Sequence, residues 1–133
     1  MSSTAVIDAS AFLWAALGHE AATEWIERVR NRGVSAVAPD LIYVEAGNGL
    51  LVYVRARALS LEAAEAILDA LRRLPIRTVP LRELAVPALR VANERGLSVS
   101  DACYVALADE ANAVLVTADG AAAEAATESI LLD

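Results

Sequence analysis

The feature that most constrains the fold of this chain is the regular alternation of short apolar runs with longer segments of helical periodicity. The apolar runs, such as "AVLV" at residues 113–116, are continuous rather than alternating with polar residues. Runs of this kind are typical of strands in a parallel sheet that helices cover on both faces. The sequence therefore predicts an α/β fold, a three-layer parallel sheet of about five short strands flanked by helices.

The predicted elements follow one another along the whole chain. The predicted strands cover residues 4–8, 35–38, 76–79, 113–117 and 130–132. The predicted helices cover residues 9–17, 20–32, 41–59, 61–74, 83–95, 101–111 and 121–127. Ser60 and Ser100 are expected to begin helices as N-caps, and Gly33 and Gly96 to end them. Because no repeat or linker interrupts the pattern, residues 1–133 are expected to form one domain.

Composition excludes several classes of protein. Apolar residues make up 57% of the chain, which argues against disorder. No apolar stretch is both long and uncharged enough to span a membrane. Cys103 is the only cysteine, so no internal disulfide is possible, and the amino terminus lacks the pattern of a signal peptide. These features predict a cytoplasmic protein.

Two aspartates follow predicted strands directly or closely. Asp8 ends the first strand, and Asp119 comes shortly after the fourth. In open parallel sheets, sites lie beyond the carboxyl ends of strands. Either residue could instead simply cap the next helix. Asp101 could likewise have a structural role, since a negative charge in a first helical turn suits the helix dipole.

Glu45 is harder to explain by structure alone. It interrupts the apolar face of the third predicted helix, in "LIYVEAGNGLLVYV", and no basic residue lies within one turn of it. Acidic side chains are rarely buried without a partner, so a cation from elsewhere is expected, and a metal ion is a good candidate. Gly47 and Gly49 in the same segment indicate either the close approach of another backbone or a broken helix.

Four motifs in order carry a resemblance to a known family. The segments "VIDAS", "PDLIYVEAGNGL", "LSVSDACYVALA" and "AVLVTADG" resemble those of PIN-domain nucleases, especially the small VapC-type toxins of type II toxin–antitoxin pairs. The resemblance covers nearly the whole chain. It implies that Asp8, Glu45, Asp101 and Asp119 gather at one end of the sheet as catalytic and metal-binding residues, with Mg²⁺ or Mn²⁺ as cofactor and RNA as substrate. It also implies a cognate antitoxin and a homodimer.

Three polar residues are weaker candidates for substrate contact. Ser10 and Thr117 fall where the family often places small hydroxyl residues near the acids. Asn48 lies three residues after Glu45 on nearly the same helix face, where it could contact substrate or orient the carboxylate. A solvated surface position explains Asn48 equally well. The segment "DGAAAEAA" departs from the family, which commonly has a larger apolar residue there.

The net charge of −7 is unusual for a protein that binds nucleic acid. Leaving out the four site acids reduces it to −3. Carboxylates that share a cleft repel one another, and a hard divalent cation relieves this repulsion. Such a cation can lower the pKa of a water molecule and stabilise charge on a phosphate. Arginine groups at 28/30/32, 55/57 and 72/73 could line a local RNA path, although a solvated helix face explains each group as well.

Two other functions remain open. The chain could be a catalytically silent PIN-like binding module, or a phosphotransfer domain of the haloacid-dehalogenase or receiver type. The dehalogenase type requires a second acid at the position of Ser10, and a receiver site requires a lysine, which the chain lacks.

The first pair of predicted helices carries several large apolar side chains, Phe12, Leu13, Trp14 and Trp25. They predict a surface for the homodimer and for an amphipathic antitoxin helix, as the family resemblance suggests.

Overall fold

One parallel sheet organises the protein. The structure is a computed structural model that describes residues 3–133, and its five strands lie in the order β3-β2-β1-β4-β5. The strands are β1 (Thr4–Ile7), β2 (Ser35–Pro39), β3 (Ile76–Val79), β4 (Val114–Thr117) and β5 (Ser129–Leu131). The chain builds outward from β1 to β3 and then returns to the other side of β1. The point where the order reverses therefore lies between β1 and β4, and parallel sheets commonly bind ligands there.

Helices cover both faces of this sheet, which confirms the predicted α/β fold. The helices within residues 3–133 are α1 (Ala9–Ala16), α2 (Glu20–Arg30), α3 (Ile42–Arg55), α4 (Leu61–Arg73), α5 (Leu81–Arg95), α6 (Val99–Ala111) and α7 (Gly120–Ala125). Alternate strand residues point to opposite layers. Ile7 and Val116 pack with α1 to α4, whereas Val6 and Leu115 pack with α5 to α7. No helix in the described part of the chain is long and apolar enough to cross a membrane.

Several helix bounds differ from the prediction by one to four residues, and at two of them the structure shows the reason. The helices predicted to reach residues 32 and 59 end at Arg30 and Arg55. Each is followed by an arginine in the left-handed conformation, Arg32 with a φ of 59° and Arg57 with a φ of 60°. The helices end just before these arginines, and Gly33 does not supply the left-handed residue that follows α2. Arginine has a Cβ atom that disfavours the left-handed conformation, and helices usually end at a left-handed glycine instead. The sequence therefore did not indicate these two ends.

The caps of the later helices are mostly as predicted. Ser60 accepts a hydrogen bond from the Ala63 N–H, and Gly96 ends α5 with a φ of 71°. The prediction that Ser100 begins α6 is wrong, because the Ser98 hydroxyl accepts from the Asp101 N–H at 3.1 Å. Both serines stand near the start of this helix, and only the backbone path decides which of them caps it.

Helix α3 is continuous through its two glycines, so the broken-helix alternative is wrong. A Cβ at Gly49 would overlap the Cδ1 atom of Leu13 in α1, whereas a Cβ at Gly47 would meet Leu68 in α4 at an ordinary 3.8 Å. The close approach expected at these glycines is therefore made at Gly49 by a side chain rather than by a backbone. This contact packs α1 against the helix that carries Glu45.

The large apolar residues of the first helix pair are less exposed than expected. Phe12 is buried, and Trp14 and Trp25 pack against the core beside it. The most exposed large apolar side chains lie elsewhere, and they include Val44 and Val52 on α3. These two residues are eight apart and therefore lie on one face of that helix.

Candidate active site

The four candidate acids lie at the start of helices around the carboxyl end of the sheet. Asp8 follows β1 and caps α1, and Asp119 follows β4 and caps α7, where its carboxylate accepts from the Ala121 N–H at 3.0 Å. Glu45 and Asp101 stand in the first turns of α3 and α6. The capping interpretation of the two strand-end aspartates is thus confirmed. It does not exclude a further role for either carboxylate.

The structure brings these acids within electrostatic reach of one another. The charge of Asp119 acts on Asp8, and the charges of Asp101 and Asp8 act on Glu45. None of the ion pairs formed within residues 3–133 involves any of the four. The site therefore concentrates negative charge without a neutralising arginine. The catalytic and metal-binding roles of these acids stay predictions.

Asp8 is the most tightly held of the four, with only 7% of its surface exposed. Its Oδ1 atom accepts from the Ser10 hydroxyl at 2.6 Å and from the Ala11 N–H at 2.9 Å, and its Oδ2 atom accepts from the Thr117 hydroxyl. Burial raises the pKa of Asp8 above its ordinary value, these three hydrogen bonds lower it, and the charge of Asp119 raises it again. A carboxylate has about four acceptor positions, so roughly one remains for a further ligand.

The hydroxyl groups of Ser10 and Thr117 connect Asp8 to the loop after β4. Ser10 Oγ accepts from the Ala118 N–H at 2.9 Å, and Thr117 Oγ1 accepts from the Asp119 N–H, also at 2.9 Å. Each hydroxyl therefore donates to Asp8 while it accepts from backbone. Thr117 is fully buried, which leaves it no surface for a substrate. These contacts fix both hydroxyl groups beside Asp8, and the predicted substrate contact stays a prediction.

Glu45 has a hydrogen-bond partner that its sequence surroundings did not indicate. The Tyr104 hydroxyl donates to Glu45 Oε1 at 2.6 Å. Burial raises the pKa of Glu45, the Tyr104 hydrogen bond lowers it, and the charges of Asp101 and Asp8 raise it. Burial and the neighbouring carboxylate also raise the pKa of Tyr104 far above its ordinary value, so the phenol stays protonated. The available signal was spacing: Tyr104 comes three residues after Asp101, on the same face of one helix.

Three other residues considered in the sequence, Asn48, His19 and Cys103, form no hydrogen bond with the four acids in the described structure. Asn48 is exposed on α3, one turn after Glu45, and its role stays a prediction. His19 caps α2 by accepting from the Ala22 N–H, as expected for a residue at a helix boundary. Cys103 is buried, as expected for a core residue, and burial raises the pKa of its thiol.

Several arginines pair on helix surfaces rather than at the site. Arg30 pairs with Glu27, and both Arg72 and Arg73 pair with Asp69. These are contacts within one helix, at spacings of three and four residues. They agree with the solvated-face interpretation of those two arginine groups.

The chemistry of the site fits a divalent cation. All the candidate donors are carboxylate oxygens, which hard cations such as Mg²⁺ prefer. In the described residues, no three acidic, histidine or cysteine side chains are close enough to form a ready-made metal cage. Mg²⁺ usually keeps several waters and takes only one or two carboxylates, so such a cage is not required. The free acceptor position on Asp8 and the Oε2 atom of Glu45 suit this mode of binding.

Comparison with known proteins identifies the family. The sequence pattern of the PIN domain matches residues 5–128. The crystal structure of PAE2754 from Pyrobaculum aerophilum is 30% identical, with a TM-score of 0.76 over 99% of this chain and 92% of that chain. No curated protein matches the chain.

Two further solved structures share the fold at low identity. A toxin-antitoxin complex from Klebsiella pneumoniae is 14% identical, with a TM-score of 0.71 over 97% of this chain and 98% of that chain. The structure of VapBC2 from Rickettsia felis, bound to a DNA fragment from its promoter, is 13% identical, with a TM-score of 0.66 over 98% of this chain and 99% of that chain. The family match extends from the second residue of β1 through α7, so it leaves out β5 and includes all four candidate acids. The chain therefore belongs to the PIN-domain family.

Proposed function

We propose that this protein is a metal-dependent endoribonuclease, the cytoplasmic toxin of a type II toxin–antitoxin pair. The observation that supports this most is the group of four acids, Asp8, Glu45, Asp101 and Asp119, at the carboxyl end of the sheet without a basic partner. A cluster of this charge would repel an RNA phosphate unless a cation bound with it. The whole of residues 1–133 would act as one domain.

Each acid has a distinct part in the proposed mechanism. Asp8 and Glu45 would hold Mg²⁺ or Mn²⁺, because hydrogen bonds already fix both carboxylates. When bound, the cation supplies positive charge that stabilises the phosphate and lowers the pKa of a nearby water. The charge of Asp101 acts on Glu45, and one of these two acids would orient the attacking water. The charge of Asp119 acts on Asp8, so Asp119 would strengthen the attraction of the site for the cation.

The decisive experiment is a cleavage assay on purified protein with single-stranded and looped RNA. Cutting is expected with Mg²⁺ or Mn²⁺ and is expected to stop in chelator. Asp8→Asn should abolish cutting, since it removes a charge that three hydrogen bonds position. Asp69→Asn is the matched control, because this aspartate pairs with arginines on the surface of α4, and it should cut normally.

The outcomes separate the proposed nuclease from the other two functions. Retained cutting by Asp8→Asn would contradict the site assignment. A folded wild type that binds Mn²⁺ but cuts no RNA would favour a silent PIN-like binding module. Release of phosphate from small phosphate esters, without RNA cleavage, would favour the phosphotransfer alternative.

An antitoxin partner is proposed because the sequence resembles VapC-type toxins and because a structure described as a toxin-antitoxin complex shares this fold. A cleft of about 200 Å³ between α1, α2 and α4 is lined mainly by apolar residues such as Phe12, Ile26 and Ile67. An amphipathic helix could place its apolar face there. A small neighbouring reading frame with a DNA-binding head and an amphipathic tail would support this partner, and its co-purified product should inhibit RNA cleavage. A homodimer is proposed through the face of α3 on which Val44 and Val52 are exposed.

A further inference from the structure

Tyr104 links α6 to α3, the two helices that carry Asp101 and Glu45. It lies on α6, only 3% exposed, and its hydroxyl is 2.6 Å from Glu45 Oε1 on α3. The backbone of Ala9, the first residue of α1, is near enough to lower the pKa of the Tyr104 hydroxyl slightly, against the larger effect of burial. One phenol therefore joins α6 and α3 beside the residue that follows Asp8.

We propose that Tyr104 is a positioning residue, whose hydroxyl binds Oε1 of Glu45 and thereby holds the carboxylate with Oε2 left to bind a divalent cation. This inference rests on the proposed function, because it gives Glu45 a metal to bind. It differs from a packing role for Tyr104, which the ring alone would fulfil. The hydroxyl is the part of the side chain that distinguishes the two.

Electrostatics explains why Glu45 needs such a contact. The charges of Asp101 and Asp8 both act unfavourably on its carboxylate. Glu45 is only partly buried and its side chain has three rotatable bonds, so repulsion would turn it outward toward water. The hydrogen bond from Tyr104 opposes this rotation and keeps the carboxylate beside the other acids. Loss of such a supporting contact typically weakens metal affinity 10–100-fold.

The test compares Mn²⁺ binding to wild type and to Tyr104→Phe by calorimetry, without RNA. Tyr104→Phe keeps the buried ring and removes only the donor, so a 10–100-fold weaker Mn²⁺ affinity is expected. Tyr43→Phe is the matched control. Tyr43 stands on the same helix as Glu45, partly buried, and forms no hydrogen bond with it in the described structure. Its variant should bind Mn²⁺ like wild type.

A second variant restores the donor. Tyr104→4-aminophenylalanine keeps the ring and replaces the hydroxyl by an amino group that can donate to Glu45. This variant should bind Mn²⁺ within a few-fold of wild type, and it also serves if Tyr104→Phe does not fold. Thermal melting in chelator shows whether each variant is folded.

The result that would overturn the proposal is wild-type Mn²⁺ affinity in folded Tyr104→Phe, or equal weakening in Tyr104→Phe and Tyr43→Phe. Failure of 4-aminophenylalanine to retain affinity would overturn it as well. If wild type binds Mn²⁺ but cuts no RNA, the ribonuclease proposal fails, while the comparison of affinities still decides the role of Tyr104. If wild type does not bind Mn²⁺, both proposals fail.

Discussion

Glu45→Gln is expected to stabilise the metal-free protein at neutral pH. Burial and the charges of Asp101 and Asp8 raise the pKa of Glu45, so its ionised form is held in unfavourable surroundings. Glutamine removes the charge and keeps a carbonyl oxygen that can accept from the Tyr104 hydroxyl. The variant therefore removes the repulsion without losing the hydrogen bond that positions the side chain.

The magnitude follows from the exposure of the site. Because Glu45 is only partly buried, water screens its interactions, and we expect a gain of about 0.5–1 kcal/mol in the free energy of unfolding. Loss of a favourable interaction with the amino end of α3 opposes this gain. Glu62→Gln measures that second effect separately, because Glu62 is an exposed glutamate in the first turn of α4. Glu62→Gln should lower stability by about 0.3–0.5 kcal/mol.

The pH dependence gives an independent check of the sign. A carboxyl group whose pKa is raised in the folded state favours folding below its ordinary pKa of 4.5, and that contribution is lost as the pH rises through the raised value. The difference between wild type and Glu45→Gln should therefore be small in acid and grow toward neutral pH. Burial raises the pKa of Asp8 in the same direction, so metal-free wild type should also become more stable on mild acidification.

The assay is urea unfolding in chelator across this pH range, repeated with Mn²⁺ at neutral pH. With Mn²⁺ the order should reverse, since wild type gains stability by binding the cation and the variant binds it more weakly. A cation at 100 times its dissociation constant contributes about 2.7 kcal/mol, which exceeds the expected gain from the substitution. If Glu45→Gln is less stable than wild type by the same amount in chelator and in Mn²⁺, Glu45 is a structural residue and the reasoning is wrong.

Two further predictions concern packing and assembly. Gly47→Ala should stabilise the protein by about 0.5–1 kcal/mol in urea unfolding, because alanine favours a helix and its Cβ would meet Leu68 at ordinary distance. Gly49→Ala should gain less or lose stability, since Leu13 must move, and equal gains at both positions would contradict the packing described for α3. Light scattering at high micromolar concentration should give the mass of a homodimer, and Val52→Asp should shift it toward a monomer because Val52 is 65% exposed on the same face of α3 as Val44. A monomeric wild type would contradict the proposed interface.

The sequence by itself determined the fold class and the placement of two aspartates. Continuous apolar runs between helical segments form strands that are buried on both faces, and a parallel sheet covered by helices is the usual fold that buries them in this way. Asp8 and Asp119 follow strands of that sheet, so their positions at its carboxyl end come from chain order alone. Their capping contacts are equally local, since each carboxylate bonds an N–H two or three residues later.

Only the tertiary structure decided which distant residues hold the acids. Tyr104 and Glu45 are 59 positions apart, and Thr117 and Asp8 are 109 apart, so no helical or strand periodicity connects either pair. The approach of Leu13 to Gly49 likewise depends on how α1 crosses α3. Such contacts form only when the sheet brings β1 beside β4 and packs α3 near α6. A local sequence pattern shows which face of a helix or strand is apolar. Which distant side chain contacts that face depends on how the sheet and the helix layers assemble.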